Sequence, residues 1–143
     1  MLLKACLTAL SACVLLTFTS CKKKKGDNPA PGTQEETLAF NMPDVQLNKY
    51  NVAQDSTYGL KVNITSRMPD KGVKVTLNVA TETNVIPLPQ DDIANVTTTP
   101  FTITLKHLKP LKTYAVTVTL ASVGNPANAA PPQIFYLTNK SSQ

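Results

Sequence analysis

The chain has 143 residues, a formal net charge of +5, 42% apolar residues, 6% aromatics and no Trp. That size suits one domain with an ordinary core and excludes a large aromatic one. Four of the 14 basic residues stand together at Lys22, Lys23, Lys24 and Lys25 and the rest are scattered, so a nucleic-acid partner, which needs a denser basic stripe with interleaved aromatics, is not expected. Pro is abundant at 11 and Gly scarce at 5, a balance that disfavours helices and favours short bounded segments.

Taken in order, the chain opens with a short basic start at Met1 and Lys4, followed by an apolar run of Leu, Ala and Val over residues 5–18. The run has the length of a secretory apolar region and is too short to span a bilayer stably. It ends in Phe18-Thr19-Ser20-Cys21, two small residues before a cysteine. These residues resemble the lipobox of bacterial lipoproteins. The resemblance implies that residues 1–20 are a signal peptide and that Cys21 is acylated as the new N-terminus. Leu10-Ser11-Ala12-Cys13 also fits the pattern, but cleavage there would leave a stunted apolar region and expose Val14, Leu15 and Leu16.

Each buried acyl methylene contributes about 0.8 kcal/mol, so two or three chains on Cys21 anchor durably where one would not. Lys22, Lys23, Lys24 and Lys25 would then lie against anionic headgroups at about 1 kcal/mol each. The Cys-Lys-Lys-Lys pattern also looks like lipoproteins of the Bacteroidetes, in which an acidic cluster after the Cys marks export to the cell surface. Here Asp27 is the first acid, which leaves both the periplasmic face of the outer membrane and the cell surface open. Cys6 and Cys13 fall within the signal, so the mature chain would lack an intramolecular disulfide and depend on its core.

Residues 21–36 have the composition of a flexible, lipid-anchored tether, with two Pro and two Gly between Gly26 and Glu36 and no apolar periodicity. From residue 37 to 143 the pattern changes to period two. Leu60, Val62 and Ile64 alternate with polar neighbours, as do Val73, Val75, Leu77 and Val79, then Phe101, Ile103 and Leu105, then Tyr114, Val116, Val118 and Leu120. A last strand is expected over 134–138, and shorter ones over 38–41, 45–49 and 84–88. Met68-Pro69-Asp70-Lys71-Gly72 reads as a hairpin turn between two major strands. Pro87 and Pro89 confine their segment to an edge or a loop. The expectation is an all-β fold, a single antiparallel β-sandwich of about seven strands.

Leu108, Pro110 and Tyr114, in Leu-Lys-Pro-Leu-Lys-Thr-Tyr, resemble the entry to the sixth strand of fibronectin type III domains. The resemblance implies an immunoglobulin-like sandwich and a corner in which the Tyr hydroxyl bonds to nearby backbone.

Little in the sequence points to catalysis. His107 is the single His and reads as an exposed turn residue, Cys21 is consumed by acylation, and no Gly-rich phosphate loop or zinc-type Cys pair exists. Asp91 and Asp92, with Gln90 and Asp70, form at most a loose oxygen cluster. No catalytic residue, metal site or cofactor is expected. Asp55-Ser56-Thr57 resembles the O-glycosylation acceptor of Bacteroidetes periplasmic proteins, which marks Ser56 as a modification candidate. Tyr50, Tyr58 and Tyr136 are the aromatics available for glycan stacking. The function expected is a lipid-anchored, non-enzymatic module of the cell envelope that binds a glycan or an envelope protein. A structural subunit of a surface assembly is the alternative, and an unrecognised hydrolase a more remote one.

Overall fold

The computed structural model describes residues 34–140. The expected signal, the expected lipidation site Cys21 and the four lysines of the expected tether lie outside the described residues. Seven strands form and, among the described residues, no helix. They are β1 (Phe40–Asn41), β2 (Tyr50–Ala53), β3 (Tyr58–Ile64), β4 (Val73–Thr81), β5 (Phe101–Leu105), β6 (Thr113–Ser122) and β7 (Gln133–Asn139).

The strands build two sheets, one of order β1-β3-β5 and one of order β2-β7-β6-β4. Period-two alternation decides which side chains turn inward. In β6 every second residue, from Tyr114 to Ser122, is buried, and the intervening residues are half-exposed. Leu60, Val62, Ile103 and Leu105 from the first sheet join Val73, Val116, Val118, Phe135 and Leu137 from the second in one buried cluster. Each such side chain contributes about 1.5–3 kcal/mol through removal from water.

Three expectations need correction. The 68–72 turn does not make a hairpin, because β3 and β4 belong to different sheets. Gly72 N–H does close the turn on Pro69 O at 2.8 Å, but the chain then crosses to the opposite layer. Two facing strands and two paired strands carry the same alternation, so turn chemistry alone does not separate them. The connection, residues 65–72, exceeds the roughly two to five residues of a hairpin loop. Second, the sheets are not wholly antiparallel: β2 runs parallel to β7, with Tyr50 opposite Tyr136 and Val52 opposite Thr138. Third, the expected short strands are displaced. Residues 45–49 are loop and the strand begins at Tyr50, while 84–88 contribute only the bridge from Pro87 to Ala80.

Residues 35 and 36 are bonded to the β unit. Glu35 accepts hydrogen bonds from Ser122 Oγ (2.9 Å) and Asn128 Nδ2 (3.1 Å), and Glu36 accepts one from Arg67 N–H (2.9 Å). The chain therefore joins the β unit at the end formed by the β3–β4 and β6–β7 connections, here called the proximal pole. Gly72 sits there with φ +78°, and a Cβ on it would collide with the Val96 carbonyl oxygen. Only glycine fits that position.

Candidate functional site

The opposite, distal pole is built from the ends of β4 and β7, the start of β6 and the loops around them. Residue 113 opens β6 and residue 122 closes it, which separates the poles by about 30 Å. Two loops meet at this pole. In the first, residues 82–89, Thr81 holds the backbone: its N–H bonds Ile86 O (2.9 Å), its carbonyl accepts from Val85 N–H (3.0 Å), and its Oγ1 accepts from Ile86 N–H (3.0 Å). In the second, residues 108–112, Tyr114 Oη accepts from Lys109 N–H at 2.9 Å, and the buried Asn139 amide donates to Leu108 O at 2.9 Å. Leu111 N–H bonds Asn139 O and Asn139 N–H bonds Lys112 O. Both loops are thus fixed before any ligand arrives, which lowers the entropic cost of binding.

Between the loops lies an open cleft of about 560 Å³, lined by Glu82, Asn84, Ile86, Leu111, Lys112 and Thr113 among others. Its rim is unusually apolar for a loop surface. Leu111 is 79% exposed and Ile86 57%, with Pro87 and Pro89 beside them; Val85, on the same loop but outside the lining, is 72% exposed. Val85 and Leu111 also adopt left-handed backbone, at φ 51° and 55°, a conformation costly for a bulky or β-branched residue.

Beside the cleft, Tyr50 and Tyr136 stack on the outer face of the four-stranded sheet, ring centroids 5.1 Å apart at an angle of 29°. Opposite Tyr136 on β6 is Ala115, and opposite Ala115 on β4 is Ala80. These small residues leave room for Tyr50 to reach across the sheet, and its hydroxyl donates to Glu82 Oε1 at 2.6 Å. One bond therefore ties the strand at one edge of the sheet to the loop beyond the strand at the other. The bond to the Glu82 carboxylate, with a smaller contribution from partial burial, holds the Tyr50 phenol above its ordinary pKa. Tyr50 itself is 62% exposed.

The other expected site residues fall elsewhere. Tyr58 is half-buried and packs on the core, which removes it from the stacking candidates. Leu108 and Tyr114 are buried and Pro110 is exposed in the loop that Tyr114 pins. Ser56 is exposed in the β2–β3 turn, where its carbonyl accepts from Leu108 N–H. His107 is exposed after β5 at φ 63°. Asp91 is paired with Lys106, whose hydrogen bond holds its carboxyl below the usual range. Gln90 is occupied at both ends of its amide by the Lys106 backbone, and Asp70 lines a separate cavity with Glu35 and Glu36. The oxygen cluster around Asp91 is thus not assembled. Among the described residues no group of three His, Cys, Asp or Glu is placed to hold a metal ion.

Sequence reasoning named Tyr50 and Tyr136 separately but not their pairing, and it passed over Glu82, Val85 and Leu111. The available signal was apolar residues inside otherwise polar loops, as in Lys-Pro-Leu-Lys. Comparison of the chain with protein-family models, curated proteins and solved structures returns no match.

Proposed function

We propose that the chain is a lipid-anchored, non-enzymatic binding module of the bacterial cell envelope, held through acyl chains on Cys21 and carrying its ligand site at the distal pole. The fold it displays is an immunoglobulin-like sandwich of fibronectin type III character. The strand order and the Tyr114 hydroxyl bonded to backbone five residues upstream support that assignment. The observation that carries the binding reading is the pairing of an exposed aromatic stack with a preformed, apolar-rimmed cleft at the pole away from the incoming chain. Lys22, Lys23, Lys24 and Lys25 would sit against the headgroups, with the module on either face of the outer membrane.

The alternative of a fibre subunit built by strand addition has less support. The outer edge of β4 is bridged by Val96 and Pro87, and Gln90 caps the end of β5, devices that block pairing with another chain.

Two experiments test the reading. Cys21→Ala should abolish acyl labelling and release the protein from membranes, whereas retained labelling would move the anchor to Cys13. A photoreactive residue at Leu111 should crosslink an envelope component while one at Lys71 should not. Equal labelling at both positions, or none at either, would set the binding-module reading aside.

A further inference from the structure

The Tyr50–Tyr136 stack continues into a surface of unusual chemistry. The outward residues of the four-stranded sheet are Thr76 and Asn78 on β4, Thr113, Thr117 and Thr119 on β6, Thr138 and the exposed Ile134 on β7, and the exposed Val52 on β2, with Ala80 and Ala115 beside the tyrosines. Alternation places them on one pleated face. Charges flank this face, Lys74 at one end and Glu82 at the other. Between those charges the face carries mainly hydroxyl and amide groups, with the Tyr50–Tyr136 stack, Val52 and Ile134 along its β2–β7 side.

Resting on the binding reading above, we infer that the distal pole and this face bind a neutral glycan chain, one pyranose ring stacking on Tyr50 and its neighbours running along the threonine-lined sheet. A pyranose has a face of polarised C–H bonds and an equator of hydroxyls. The C–H face suits the negative π face of a tyrosine. One side of the Tyr50 ring is taken by Tyr136 and the other side is the exposed one. The stack and the Glu82 bond hold that ring in place, so little rotamer freedom is lost on binding.

Glu82 supplies the polar half of the recognition. Its Oε1 is engaged by Tyr50, and its Oε2 accepts no hydrogen bond from the described residues. A carboxylate oxygen at the edge of an aromatic platform accepts hydrogen bonds from vicinal sugar hydroxyls, and charge makes those bonds stronger than neutral ones. Lys112 and Lys109 line the same cleft and can donate to ring or glycosidic oxygens. Other occupants match less well. An anionic polymer would meet Glu82 and the neutral threonine face, a membrane surface would meet a carboxylate and a hydroxyl-lined sheet, and an extended peptide would find the edge of β4 already bridged.

The test uses the purified full-length protein and β-linked gluco-, manno- and N-acetylglucosamine oligosaccharides in isothermal titration, with affinity electrophoresis on the matching polysaccharides. Wild-type protein should bind at least one of the series. Tyr50→Ala should weaken that binding by about tenfold, and Glu82→Gln should weaken it severalfold. Tyr50→Phe should stay within about threefold of wild type, because the ring survives the loss of its hydroxyl. Lys71→Ala at the proximal pole should bind like wild type, and thermal melts check that every variant folds. If no saccharide binds, or if Tyr50→Ala binds as well as wild type, the glycan assignment is wrong. Crosslinking of a protein at Leu111 together with absent saccharide binding would overturn the glycan and leave the binding module standing.

Discussion

The two poles of the β unit meet the same backbone problem in opposite ways. At the proximal pole the left-handed residue is Gly72, packed so closely on Val96 that no side chain fits. At the distal pole Val85 and Leu111 are left-handed, as is the nearby His107, and the Val85 and Leu111 side chains project into solvent. Glycine would relieve both distal positions, yet large apolar groups stand there. At the proximal pole Glu35 and Glu36 accept hydrogen bonds from Ser122, Asn128 and Arg67 beside a smaller cavity of about 220 Å³. The distal pole holds an open cleft. One pole takes up residues 35 and 36 through polar bonds, and the other presents strained apolar side chains to solvent.

The largest effect that tests this contrast is Gly72→Ala, which should cost about 3 kcal/mol, read from the urea midpoint, because the new Cβ collides with backbone. Tyr114→Phe removes the bond that pins the 108–112 loop; it should cost about 1–2 kcal/mol and raise amide exchange at residues 109–112. Asn128→Ala, which frees Glu35 and the Glu36 carbonyl, should cost about 1 kcal/mol in the same assay and leave the cleft unchanged. Val85→Asn and Leu111→Asn should leave stability within about 0.5 kcal/mol of wild type or raise it, since Asn tolerates left-handed backbone, while ligand binding falls for Leu111→Asn, whose residue lines the cleft. A clear loss of stability in these two variants would remove the contrast.

The smallest effect is on titration. The neutral form of Tyr50 is favoured in the folded protein, so its folded pKa lies above its unfolded one. The stabilising bond to Glu82 is therefore fully present below about pH 10 and is lost as pH rises through the raised folded value. Ultraviolet titration of Glu82→Gln should show one tyrosine ionising at lower pH than in wild type. No change would mean that the bond is not formed in solution.

The strands were largely legible because inward Leu60, Val62, Val116 and Val118 alternate with polar neighbours, and a half-buried strand imprints that period directly. The parallel pairing of β2 was not legible, because Tyr50 and Val52 face outward and only Ala53 is deeply buried, so the strand carries little apolar signature. The layer crossing at Gly72 was hidden because turn residues specify a reversal without naming the partner strand. At the candidate site, Tyr50, Tyr136 and Glu82 are far apart in sequence and meet because β2 pairs with β7 and Ala115 leaves a path across the sheet. Local pattern does not encode such a meeting. Val85 read as strand and Leu111 as part of the Tyr114 motif, and their exposure emerges only with the loops folded.

The most direct test of the two-pole account is a map of amide chemical-shift changes in the full-length chain as a binding oligosaccharide is titrated in. The account predicts changes gathered at Tyr50, residues 81–86 and residues 109–113, with Glu35, Arg67, Gly72 and Asn128 unmoved. Changes centred on the proximal residues, or none at the distal pole, would contradict it.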